Sequence, residues 1–171
     1  MKTAEVGQHL VAQSRNGRRT LVFKGTRLSV AGVFRRLARG ESVGEIVKAT
    51  PQLTPEAIRE AVKLASAALI DQVGARSPEH LKRKPLPEPK PVGRYLIVHP
   101  NVCFSKLTFD RTRLTVARML FYRTNYTLNE MLHWWPELKR EALAEALQLA
   151  AAALMERYAV TAETARESAH S

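Results

Sequence analysis

Basic side chains carry the first chemical signal in this sequence. From Met1 to Gly40 the only acid is Glu5, whereas Arg15, Arg18, Arg19, Lys24, Arg27, Arg35, Arg36 and Arg39 all fall in the same stretch. Cations gathered without counter-acids neutralise phosphates and release the counterions condensed on them. Arg111, Arg113, Arg118 and Arg123 echo the set farther along. The 171 residues hold 27 Lys and Arg against 16 Asp and Glu, a formal charge of +11. Nucleic acid is the partner this composition favours, although ribosomal, membrane-surface and acidic-partner proteins share such a balance.

The other residue types with chemical potential form no reactive constellation. His9, His80, His99, His133 and His170 are scattered, with no i, i+4 pair to grip a metal. Glu56 and Glu60, like Glu141 and Glu145, have carboxylate-site spacing but no histidine partner, and read as solvated charges or salt-bridge donors. Cys103 is the only cysteine, so an internal disulfide is impossible and a reducing cytoplasm is the expected location. Glycine-rich phosphate cradles are lacking, as is any apolar run of membrane-spanning length. The expectation is a cytoplasmic protein without cofactor or enzymatic activity. Trp134 and Trp135, adjacent in sequence, read as packing or partner-interface residues rather than as a base-stacking platform.

Elements with clear local signals must position these groups. Thr20 to Phe23, Tyr95 to Val98 and Leu107 to Phe109 read as short strands. Ser29 is a natural N-cap for a helix in which Val30, Val33, Phe34 and Leu37 share one face, and Gly40 stops it. Ser42-Val43-Gly44-Glu45 and Thr127-Leu128-Asn129-Glu130 are capping boxes that open a second helix in each half. Thr54-Pro55-Glu56 opens a third, with cap, N1 proline and first-turn acid in agreement. If that third helix reads DNA, its exposed first turns offer Gln52, Thr54 and Arg59 in one half, and Lys139 and Arg140 in the other.

The same order of signals occurs twice. Thr26-Arg27-Leu28-Ser29-Val30-Ala31 returns as Thr112-Arg113-Leu114-Thr115-Val116-Ala117, and Pro51, Leu53, Glu56, Ala57, Glu60 and Ala61 return as Pro136, Leu138, Glu141, Ala142, Glu145 and Ala146. Internal duplication explains this. Between the copies, Pro78, Pro85, Pro87, Pro89 and Pro91 alternate with Lys82, Arg83, Lys84 and Lys90, the composition of an extended, semi-rigid linker. The expected organisation is a mainly α chain: a three-helix module over 11–76, a linker over 77–93 and a second such module over 94–160. Each module would be preceded by short strands, the pair would form a pseudo-dimer, and the ends before Val11 and after Val160 would fray.

The succession Gly25-Thr26-Arg27-Leu28-Ser29-Val30, Gly40-Glu41-Ser42-Val43 and Pro51-Gln52-Leu53-Thr54-Pro55-Glu56 resembles the domain-of-unknown-function 433 family, which includes VapB-like antitoxins. The resemblance implies a helix-turn-helix-like DNA-binding fold, usually a dimer of single copies and sometimes encoded beside a PIN-type toxin. The second copy departs from the pattern at Arg111, which stands where the first has Gly25, and at Leu107, where the family tends to place proline.

Two roles from other classes remain open on the sequence. One is an interaction module that silences a partner toxin through Trp134, Trp135 and the apolar run Ala150 to Tyr158. The other is a sequence-tolerant nucleic-acid-coating protein. A homodimer is compatible with all of them.

Overall fold

A computed structural model describes residues 2–15, 18–74 and 88–167. Pro78, Lys82, Arg83, Lys84, Pro85 and Pro87 of the expected linker, and His80 and His170, lie outside the described residues.

The first half begins with β1 (Lys2–Glu5), β2 (Leu10–Arg15) and β3 (Arg18–Phe23), then α1 (Val30–Arg39), α2 (Val43–Ala49) and α3 (Pro55–Val73). The second half repeats the series as β4 (Lys90–Pro91), β5 (Leu96–Val98), β6 (Leu107–Phe109), α4 (Val116–Arg123), α5 (Leu128–Trp134) and α6 (Arg140–Glu167). Each set of strands is a three-stranded antiparallel sheet, in the orders β1-β2-β3 and β4-β5-β6. The expectation of a mainly α chain of helix-turn-helix-like three-helix modules is therefore corrected to a mixed α/β architecture.

Strands β3, β5 and β6 lie where the sequence marks short strands, whereas β1, β2 and β4 carry too little apolar alternation to be read. Pro91 sits in edge strand β4, where an absent amide costs no internal ladder bond. Nor is the amino terminus frayed, since Lys2 to Glu5 pair with Ser14 to Val11. The registers match between halves: Leu10 faces Phe23 and Leu96 faces Phe109. This places equivalent apolar residues on the buried side of each sheet, and all four are buried.

The helix boundaries follow their local signals. Ser29 Oγ accepts from Gly32 N–H, Thr54 Oγ1 from Ala57 N–H, and both capping boxes are closed. Caps of this kind each contribute about 1 kcal/mol. Gly40 ends α1 in the left-handed conformation at φ 108°.

Tertiary packing crosses between the halves. The long helices α3 and α6 lie against each other, α1 packs along α6, and α4 packs along α3. One continuous apolar core results, running from Leu10 and Phe34 through Ala61 and Ala65 to Met119, Ala146 and Leu154. The alanines on α3 and α6 allow close approach of the two backbones. In the apolar run from Ala150, Ala150, Ala151, Ala153 and Leu154 belong to the core, while Ala152 is exposed. Among the described residues no helix is long and apolar enough to cross a membrane.

Candidate nucleic-acid interface

The duplicated Thr-Arg turn divides its work between neighbouring side chains. Thr26 Oγ1 donates to the Phe23 carbonyl and accepts from Leu28 N–H, and Thr112 repeats both bonds with Phe109 and Leu114. The threonines thus tie strand to helix. Arg27 and Arg113, next in sequence, are exposed, and their guanidinium groups make no ion pair or hydrogen bond with a described residue. The turn aims them at solvent. Gly25 precedes it at φ 70°, and Arg111 takes the same left-handed conformation at φ 59° despite its side chain, so the turn survives the departure from glycine.

On α1, Arg35 and Arg39 stand one turn apart on the exposed face, and neither is ion-paired with a described residue. Arg140, at the start of α6, brings Nη1 within 3.4 Å of where a Cβ on Gly40 would stand, so a cation of the second half joins the end of α1. The helix dipole favours positive charge there. Arg36 is committed elsewhere: its Nε donates to Glu41 at 2.8 Å and its Nη2 lies 2.6 Å from the same oxygen, a bond that raises the guanidinium pKa.

The remaining candidates disperse. Lys24 pairs with Glu5 at 2.9 Å and Arg59 with Glu56 at 3.3 Å. Arg111 lies 3.8 Å from Asp110, and Lys139 lies over the Tyr95 ring, 6.0 Å from its centre. Arg118 is exposed on α4, and Arg19 is half-buried in β3. Arg15 and Arg18 face each other across the β2–β3 ladder, and their side chains lie outside the described set. The third helix is the central element of the core, so the exposed residues of α3 are a narrow stripe of Glu56, Arg59, Lys63 and Ala67, with Gln72 near its end. That stripe starts with an acid, which disfavours phosphate.

Three features were missed in the sequence. Arg123, grouped there with the surface cations, has no exposure: its Nη1 donates to the Tyr126 carbonyl and its Nη2 to the carbonyls of Leu37 and Glu41 in the other half. Burial pushes its pKa down to about 10, so it stays charged at neutral pH.

Glu60 and Glu145 are docking posts rather than solvated charges. Glu60 accepts the N–H groups of Gln8 and His9 at 2.8 Å each and contacts His9 Nδ1 at 2.8 Å; Glu145 accepts those of Arg94 and Tyr95 at 2.8 Å each. Partial burial works against the charge on Glu60, yet the amides and the His9 ring together hold its carboxyl below the ordinary value. Gly7 and Gly93 leave room for these carboxylates; a Cβ on Gly93 would stand 2.7 Å from Glu145 Oε1. The available signal was Val6-Gly7-x-x-Leu10, which returns as Val92-Gly93-x-x-Leu96 in phase with the duplication.

The third is an aromatic cluster around Trp134 and Trp135, the pair expected at an interface. Trp135 is half-buried and stacks on Tyr122, while Trp134 is exposed and meets Tyr126 edge to face.

Residues 17–65 and 97–150, more than half of the chain, match the family described as Protein of unknown function (DUF433). The chain belongs to that family. Two DUF433 segments in one chain agree with the duplication, and both Thr-Arg turns, Arg35, Arg39, Arg123 and Arg140 fall inside them. No curated protein and no solved structure matches the chain.

Proposed function

We propose that this protein is a DNA-binding regulator of antitoxin type that holds duplex DNA by the cationic face of its first half. The observation that carries this reading is the grouping of Arg35, Arg39 and Arg140 at the exposed end of α1, none of them ion-paired with a described residue. Arg27 at the strand–helix turn, and Arg113 and Arg118 on the second half, extend the positive surface. Guanidinium groups on a rigid helix grip phosphates bidentately and set register on the duplex. A PIN-type nuclease encoded beside the gene is the partner that the antitoxin reading implies.

Fluorescence anisotropy across a salt series tests the proposal, with the DNA upstream of the protein's own gene compared with a scrambled duplex. Tighter binding to the native sequence that persists near physiological salt is expected. Replacing Arg35 and Arg39 by alanine should weaken binding to both duplexes and reduce the salt slope by about one for each phosphate no longer neutralised. Equal affinity for both duplexes that vanishes with salt would assign a sequence-tolerant coating role instead, and no binding would remove DNA from the account.

A further inference from the structure

The two halves have not kept the same outer face. Arg35 and Arg36 on α1 stand where α4 has Phe121 and Tyr122, and Ala49 and Thr50 at the end of α2 stand where the second half has Trp134 and Trp135. A cationic face in one half is therefore an aromatic face in the other. Phe121 is 61% exposed and Trp134 49%, and with Phe104 at 81% and Tyr126 at 38% they are the exposed large hydrophobic residues among those described.

Phe121 is also one wall of a groove between α3 and α4, with a volume of about 220 Å³, whose apolar lining includes Val62, Ala67, Ile70 and Ala117. The charges along it have one free sign. Lys63 on α3 lines the groove, and Arg118 stands one turn from Phe121 on the exposed face of α4; neither is ion-paired with a described residue. Arg59 is already met by Glu56, and Asp71, the acid in the lining, is held by Arg157 at 3.0 Å.

These observations choose among occupants. A second copy meeting this face with its own would bring Lys63 and Arg118 toward their equivalents on another chain of charge +11. Stacking of nucleobases needs free ring faces, but Trp134 is engaged edge to face with Tyr126 at 4.9 Å and Trp135 lies flat on Tyr122 at 5.1 Å. A groove between two helices with an aromatic wall and unanswered cations fits an amphipathic helix that brings apolar knobs and carboxylates. We propose that the α3–α4 groove, with Phe121 as its aromatic wall, binds an acidic amphipathic helix of a partner protein. The apolar side chains of that helix enter the groove, and its carboxylates meet Lys63 and Arg118. This site is separate from the Arg35 and Arg39 face and does not rest on the DNA reading.

The test uses the full chain and a short fluorescently labelled helical peptide with Leu, Phe and Leu at i, i+4 and i+7 and glutamates elsewhere. Two controls accompany it, one with lysine for every glutamate and one of scrambled order. Anisotropy should show saturable binding of the acidic peptide and at least tenfold weaker binding of both controls. Phe121→Ser and Lys63→Glu should each weaken the acidic peptide at least tenfold, while Arg35→Ala leaves it unchanged. Because Phe121 is exposed, the serine variant should keep its circular dichroism spectrum; should it not, Lys63→Glu carries the test alone. Equal binding of acidic and scrambled peptides, or variants that bind like the parent chain, overturns the proposal. So does a dimer in sedimentation that Phe121→Ser dissociates, which would make a second copy the occupant, or an oligothymidine that competes for the same face.

Discussion

The guanidinium of Arg123 donates at 3.0 Å to the main-chain carbonyl of Leu37, the residue that holds the corresponding place in the other half of the chain. Equivalent positions thus meet inside the molecule, one as donor and the other as acceptor. Arg123→Leu would make the two positions identical but strip donors from the carbonyls of Leu37, Glu41 and Tyr126. Charge-assisted bonds to buried carbonyls outweigh the desolvation relieved, so a loss of about 2 kcal/mol is expected. Urea denaturation measures it, and an unchanged midpoint would mean that these carbonyls find other donors.

Because α1 packs on α6 and α4 on α3, the halves should unfold together. Both tryptophans lie in the second half, so their emission reports on that half while far-ultraviolet dichroism reports on all the helices. The two transitions should coincide. A first transition seen by dichroism alone would mean that the first half stands independently.

Arg111 holds a left-handed conformation that costs about 1–2 kcal/mol for a residue with a Cβ, and its side chain is 93% exposed. Glycine relieves that strain and returns part of the gain as chain entropy. Arg111→Gly should therefore stabilise the protein by roughly 0.5–1 kcal/mol, and Gly25→Ala should destabilise it by about 1 kcal/mol, both read by thermal denaturation.

Glu60 ties the stability of the β1–β2 turn to pH. Its folded pKa lies below the ordinary 4.5, so the unfolded chain binds the proton more readily. Its contribution is complete above the ordinary value and is lost as pH falls through the folded one. Glu45 and Glu130, held down by the amides of Ser42 and Thr127, act in the same direction. In Glu60→Gln the loss of stability below about pH 5 should be shallower than in the parent chain.

Gly7→Ala should cost about 1–3 kcal/mol in the parent chain, because its Cβ would collide with the Glu60 carboxylate, and close to nothing in a Glu60→Ala background. Additive effects of the two substitutions would separate the glycine from the carboxylate.

The legible parts of this molecule are those decided within a few residues. Ser29, the capping boxes at Ser42 and Thr127, and Thr54-Pro55-Glu56 each mark a helix start because cap and partner are three residues apart. What could not be read depends on residues far apart in the chain. Glu60 looks like one of many surface carboxylates until Gln8 and His9, 52 and 51 residues away, present their amides to it. Arg123 carries the type of a surface cation, and only the other half supplies the carbonyls that let it be buried. Strand β4 is hidden because proline and lysine are poor strand formers, and only its ladder to Ile97 and Val98 makes it one. The cationic and aromatic faces are written in the aligned copies, Arg35 against Phe121, but their exposure depends on which side of each helix the opposite half covers.

The exchange of helices between the halves also bears on dosage. A regulator assembled from two separate subunits loses its paired form when its concentration drops below the dissociation constant of the pair, so its response to abundance is steeper than linear. Here α1 and α6 belong to one polypeptide and dilution cannot part them. The pairing of the two halves is therefore as complete well below the dissociation constant for any target as it is well above it.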